Sequence, residues 1–199
     1  MRSAESQSWL IRVSHPPEFM IRALYARDAA GLAVDMLVPP PPLVPQVRID
    51  PQLRALGTAQ AAADWRAWWE AEVAAGPQSA ADLPDPLARP ALIGPDLRSL
   101  LNQATGPAGR WLSAHERDHM NHARERPRPA RHPMGELVRS IEAELGRPIE
   151  PFQLQVDVLP VEGHWSHRAQ RDHLLVSQSL SRNTAAYQVL LEPIIRSLA

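Results

Sequence analysis

The sequence predicts an α+β fold in which amphipathic helices pack on a small, mainly antiparallel sheet, and three of its features lead there. Apolar residues recur on a period of 3.6 in several windows, above all Trp65, Trp68, Trp69 and Val73, and Tyr187, Leu190, Leu191, Ile194, Ile195 and Leu198. One window alternates instead: Phe152, Leu154, Val156 and Val158 are interleaved with Gln153, Gln155 and Asp157, the pattern of a strand with one wet face. His173 to Ser177 reads as a second strand, with Gly163 to Arg171 as the loop between them.

Along the chain, Trp9 to Val13 has the length and composition of a short strand. Ser14-His15-Pro16-Pro17-Glu18 then combines a capping serine, first-turn prolines and an early acid, which announces a helix through Phe19 to Ala30 ending at Gly31. A hairpin of Phe19 to Arg27 with Leu32 to Val38 is the rival reading, and Leu32 to Val38 is a strand under either. Pro39 to Pro42 must be extended polyproline II. Asp50-Pro51 opens a helical stretch that Gly57 interrupts, and Thr58 to Ala75 follows as a helix stopped by Gly76-Pro77. From Gly76 to Pro95, closely spaced prolines predict a surface loop or linker.

Leu97, Leu100, Leu101 and Ala104 predict a short helix closed by Gly106-Pro107, with a separate helix from Ala108 or Arg110 to about Arg126. Met134 to Leu145 carries Leu137, Val138, Ile141 and Leu145 at core-facing spacing, with Gly146 as terminator. The last helix is capped by Asn183 or Ser181, and Pro193 within it predicts a kink near Val189. Residues 1–45 are taken as an N-terminal segment ending in a Pro-rich linker and 46–199 as the main domain, one continuous domain being the alternative.

Composition removes whole classes of chemistry. The 199 residues contain no cysteine, which excludes disulfides, thiolate metal sites and thiol nucleophiles. All 21 basic residues are arginine, so neither a Schiff-base lysine nor a phosphate-loop lysine exists. Glycine-rich phosphate loops, a G-x-S-x-G elbow and a dinucleotide fingerprint are also missing. A net charge of −1 gives no global attraction to nucleic acid or anionic lipid. Without an apolar span or an export-type N-terminus, the expectation is a soluble cytoplasmic protein with no membrane contact.

The stretch His115-Glu116-Arg117-Asp118-His119 matches H-E-x-x-H. Residues four apart share a helix face, so His115 and His119 could hold one Zn²⁺ while Glu116 polarises a bound water. Over these five residues the string resembles the zincin metallopeptidases, which implies a zinc hydrolase with His115 and His119 as ligands and Glu116 as general base. Both inner positions are charged here, whereas that family usually keeps them uncharged. With Met120, the same stretch resembles the C-terminal H-x-x-x-H helix of the DinB-like metal-binding bundles. That resemblance implies an all-helical fold and a third histidine from a distant helix, and His15 is the sole upstream histidine.

The preferred expectation is plainer. His115, His119 and His122 beside Arg117, Asp118, Arg124 and Glu125 form a solvated or interfacial helix face. The protein is then a non-catalytic binding or structural module acting through protein contacts, with no cofactor expected. Zinc hydrolysis is one alternative, and nucleic-acid binding through the Arg-rich segment 110–131 is another, disfavoured because no aromatic follows Trp111 in the segment for bases to stack on. His164, His167 and His173 make a second group, read as polar surface. The tryptophan stripe reads as core, or else as a docking face.

Overall fold

The computed structural model describes residues 9–76, 93–125 and 133–198, and within them four strands and seven helices give an α+β architecture. In chain order these are β1 (Leu10–Ser14), α1 (Glu18–Ala30), α2 (Pro51–Leu56), α3 (Ala59–Ala75), α4 (Pro95–Glu125), α5 (Pro133–Leu145), β2 (Gln153–Leu159), β3 (Ser166–Gln170), β4 (His173–Ser177), α6 (Gln178–Arg182) and α7 (Thr184–Leu198). Residues 1–8, most of the Gly76–Pro95 loop and the end of the basic segment lie outside the described residues.

Local chemistry explains most helix boundaries. Asp50 accepts from the backbone N–H of Gln52 at 2.8 Å with Pro51 behind it, and Thr58 Oγ1 accepts from Ala61 N–H at 3.0 Å. Asn183 caps α7 through the N–H of Ala186 at 3.2 Å. Gly31 ends α1 in the left-handed region, φ 63°, where a Cβ would be strained. The helical reading of 19–30 therefore holds over the hairpin. Leu32 to Val38 forms no strand. The chain there is drawn back over α1, because Arg27 donates to the Pro40 and Pro41 carbonyls at 2.5 and 2.8 Å while Asp28 accepts from the Leu43 N–H at 2.7 Å.

The two helices expected around Gly106-Pro107 are one 31-residue helix, α4. A proline removes one backbone hydrogen bond but does not force a stop. Contacts of α4 with α1, α2 and α3 hold its first half in place, where Leu97, Leu100, Leu101 and Ala104 are buried.

The sheet has the order β1-β2-β4-β3 and is mostly parallel, not mainly antiparallel as the sequence predicts. β1 runs parallel to β2, with Leu10 opposite Gln153 and Ser14 opposite Asp157. β2 runs parallel to β4, and only β3 is antiparallel to its neighbour β4. The loop expected at 163–171 contains that edge strand, so the chain leaves β2, runs along the far edge as β3, and returns between them as β4. Burial gives the physical reason for the correction. All five residues of His-Leu-Leu-Val-Ser are buried, a pattern that suits a central strand covered on both faces.

Helices cover both faces. On one, α1 to α4 pack with Leu159, Val161 and Leu175 around the fully buried Trp65, whose Nε1 donates to the Ala23 carbonyl at 2.8 Å. On the other, α5 and α7 pack Val138, Ile141, Tyr187, Leu191 and Ile195 on Leu154, Val156, Leu174 and Val176. At about 1.5–3 kcal/mol for each large apolar side chain removed from water, these two cores hold the sheet in place. The strand pattern read as one wet face is thus buried on both, and its polar members Gln155 and Asp157 turn toward the α1–α4 layer. The sheet also departs from the all-helical bundle that the DinB-like resemblance implies, so the likeness is confined to the helix bearing His115 and His119.

Candidate functional site

Because β1, β2 and β4 are parallel, their carboxyl ends open on the same side, where the helix following β1 goes to one face and α7, following β4, goes to the other. Such a divergence leaves a crevice above the strand ends, a common ligand position in open sheets with parallel strands. A cleft of about 310 Å³ lies there. The segment after β1 supplies His15, Pro16, Glu18 and Ile21, α4 supplies Leu112, His115, Glu116, His119 and Met120, the end of β2 supplies Val158 and Pro160, and Gln178 follows β4.

Sequence-predicted His115, Glu116 and His119 therefore all face one cavity. The helical repeat puts the imidazoles one turn apart, with ring centroids 6.4 Å from each other, while Glu116, one position along, is exposed. His15 meets His119 edge-on at 5.6 Å, and Trp111 stacks on His115 at 5.3 Å with an interplanar angle of 2°. Trp111 is itself tethered, its Nε1 donating to the Pro45 carbonyl at 3.1 Å.

His119 Nδ1 lies 2.7 Å from Gln178 Nε2 and 2.8 Å from an Arg182 guanidinium nitrogen. A guanidinium only donates, so Nδ1 accepts and the ring proton sits on Nε2. The His115 imidazole is pushed below its ordinary range, first by partial burial and then by the positive charges of His119, Arg182 and His15, against a smaller opposing effect of Asp118.

Among the described residues no group of three or more His, Cys, Asp or Glu side chains is placed to hold a metal ion. A zinc-bound histidine donates its second N–H to an acceptor, whereas Nδ1 of His119 faces a cation.

Beneath the cleft lies a polar group that the sequence reading missed. Asp157 Oδ2 accepts from His173 Nε2 at 2.9 Å, and Oδ1 accepts from Ser14 Oγ at 2.8 Å and Gln155 Nε2 at 2.8 Å. Both members of the His–Asp pair are buried, at 4% and 7% side-chain exposure. Burial pushes the Asp157 carboxyl up, but hydrogen bonds from His173, Gln155 and Ser14, with the His173 charge, outweigh it and hold it below the usual carboxylate range. Two of these residues adjoin cleft residues in sequence, Ser14 before His15 and Asp157 before Val158. His173 is therefore a structural histidine and not polar surface. His167, on the neighbouring edge strand, is lowered by burial and by the His173 charge. The clue available in sequence was His173 at the head of an otherwise apolar strand, a position that calls for a buried partner.

The remaining sequence candidates lie apart. Trp65, Trp68 and Trp69 are core residues, at most 3% exposed. Arg126, Arg128, Arg131 and His132 lie outside the described residues, as does the side chain of His122. Among the described residues no helix is long and apolar enough to cross a membrane. No protein-family model matches the chain, and no curated protein or solved structure is significantly similar to it.

Proposed function

We propose that the protein is a binding module for a small molecule, received in the cleft at the carboxyl ends of β1, β2 and β4. The observation that carries this reading is the convergence of His15, His115 and His119, from two separate elements, on one cavity of small-ligand size. Apolar walls from Ile21, Leu112, Met120 and Val158 offer area for a ligand body, and the imidazoles offer a few oriented polar contacts. The binding role expected from sequence is kept, with a small molecule in place of a protein partner.

A fragment library observed through the histidine ring signals tests the reading. Fragments should shift His15, His115 and His119 together, and Leu112→Trp, which fills the cavity, should abolish the shifts while the fold is kept. Fragments that perturb only sites away from the cleft would refute it.

A zinc hydrolase is the second reading, favoured by His115, Glu116 and His119 sharing the cavity wall with His15. It requires Arg182 to leave His119. Near-stoichiometric zinc in protein purified without a histidine tag, lost in His119→Ala, would favour it. Metal-free protein that takes up no added zinc would remove it.

A further inference from the structure

The head group of a cleft ligand can be read from the lining atoms that the protein itself leaves unengaged. His119 is engaged, since its Nδ1 takes Gln178 and Arg182, and Arg182 stands outside the lining. His115 lies flat on Trp111 and, among the described residues, makes no hydrogen bond. Burial and the charges around it keep that ring neutral at neutral pH, with a lone pair to offer. Glu116, on the same wall, has no ion pair or hydrogen bond among the described residues. Arg22 offsets part of the charge of Glu18, but both of its contacts, at 3.1 and 2.8 Å, go to Oε1, and Oε2 is left over. Pro16 and Pro160 bring no N–H to the lining. None of the described lining residues is an arginine, and the chain has no lysine. A carboxylate or phosphate entering here would meet like charge, whereas a cation would meet acceptors.

Resting on the small-molecule reading above, we infer that the cleft takes a small organic amine in its ammonium form, its head held by the Glu116 carboxylate beside His115 and Glu18, its short apolar body against Leu112 and Val158. A primary ammonium carries three donors, matched in number by Glu116, Glu18 Oε2 and the His115 lone pair. The volume of about 310 Å³ stands at the small end of ligand pockets, which limits the body to a few carbons.

Three probes with one body and different heads test this: butylammonium, butanol and butyrate. Each is titrated into full-length protein at about pH 8, where imidazoles are uncharged and an alkyl amine keeps its proton, with NMR detection at the histidine rings. Expected is a saturable shift of His15 and His115 by butylammonium, with butanol bound about fivefold more weakly and butyrate more weakly still. Glu116→Gln, an exposed change of nearly the same shape, should weaken butylammonium about fivefold and leave butanol unaltered. Glu18→Gln should cost less, because Arg22 shares that carboxylate. Butanol or butyrate bound as tightly as butylammonium overturns the amine assignment and leaves the cleft reading standing. So does undiminished butylammonium binding in Glu116→Gln, or a butylammonium titration without effect where neutral fragments shift the same rings. If neither the probes nor any fragment perturbs those rings, both readings fail.

Discussion

His173 and His119 are less than a domain's width apart and play opposite parts. His173 lies in the sheet, 4% exposed, with its Nε2 on a carboxylate that is locked in turn by Ser14 and Gln155. His119 lies at the mouth of a cavity with its Nδ1 on a guanidinium and an amide, among other imidazoles. An acid partner ties His173 into the sheet, while His119 stands among basic and amide neighbours at the wall of a cavity. The difference between the two regions is in their partners and not in their residue type.

Removing the carboxylate is the strongest way to break the contrast. Asp157→Ala should cost about 3–5 kcal/mol, because it strands His173 among apolar residues, and chemical denaturation would measure it. A loss below about 1 kcal/mol would show that the buried pair does not organise the sheet.

The next largest effect is on acid stability. Since the folded Asp157 carboxyl titrates below its unfolded value, its stabilisation is present above the unfolded carboxylate range near pH 4 and is lost as pH falls through the folded value. Asp157→Asn should flatten that acid limb while shifting little of the profile elsewhere, as followed by thermal melts across pH. An unchanged acid limb would assign the loss to other carboxylates.

Ser14→Ala removes one hydrogen bond to Asp157 and should cost about 1 kcal/mol, leaving the carboxylate its bonds from His173 and Gln155. The smallest effect belongs to the cleft. His115→Gln should change stability at neutral pH by no more than about 0.5 kcal/mol, since a half-buried ring is replaced by another polar group. Because its folded-state pKa is lowered, stability falls as pH falls through the unfolded imidazole range near 6.5, and replacing the ring should help slightly there; the pH dependence has the same sign as at Asp157 but lies in a higher window. A large loss at neutral pH would make His115 as structural as His173.

Much of the fold was legible from local rules. The caps at Asp50 and Thr58, the glycine stop at Gly31 and the tryptophan stripe each depend on chemistry within a few residues. The sheet's direction did not, because parallel pairing of β1 with β2 joins residues some 140 positions apart, and the 14 residues between Val158 and His173 read naturally as a simple meander. The continuous α4 was hidden behind Gly106-Pro107, where packing against α1 to α3 overrides a local breaker. At the site, the helical spacing of His115 and His119 marked the wall of the cleft. His15 entered only as the upstream histidine of the DinB-like resemblance, and the roles of Gln178 and Arg182 were invisible, since only the tertiary fold brings the ends of β1 and β4 to that helix.

The passage of α4 through Pro107 sets a mechanical condition on the cleft. His115 lies eight residues beyond that proline, roughly 12 Å along the axis, so a bend of about 10° there would swing the ring by about 2 Å. Trp111 opposes the swing: it holds the Pro45 carbonyl and lies flat on His115, and the segment leading to Pro45 is itself strapped to α1 by Arg27 and Asp28. The proline-rich stretch thus works as a strut between core and lever arm, and the aperture of the cavity is governed by residues that never touch its contents.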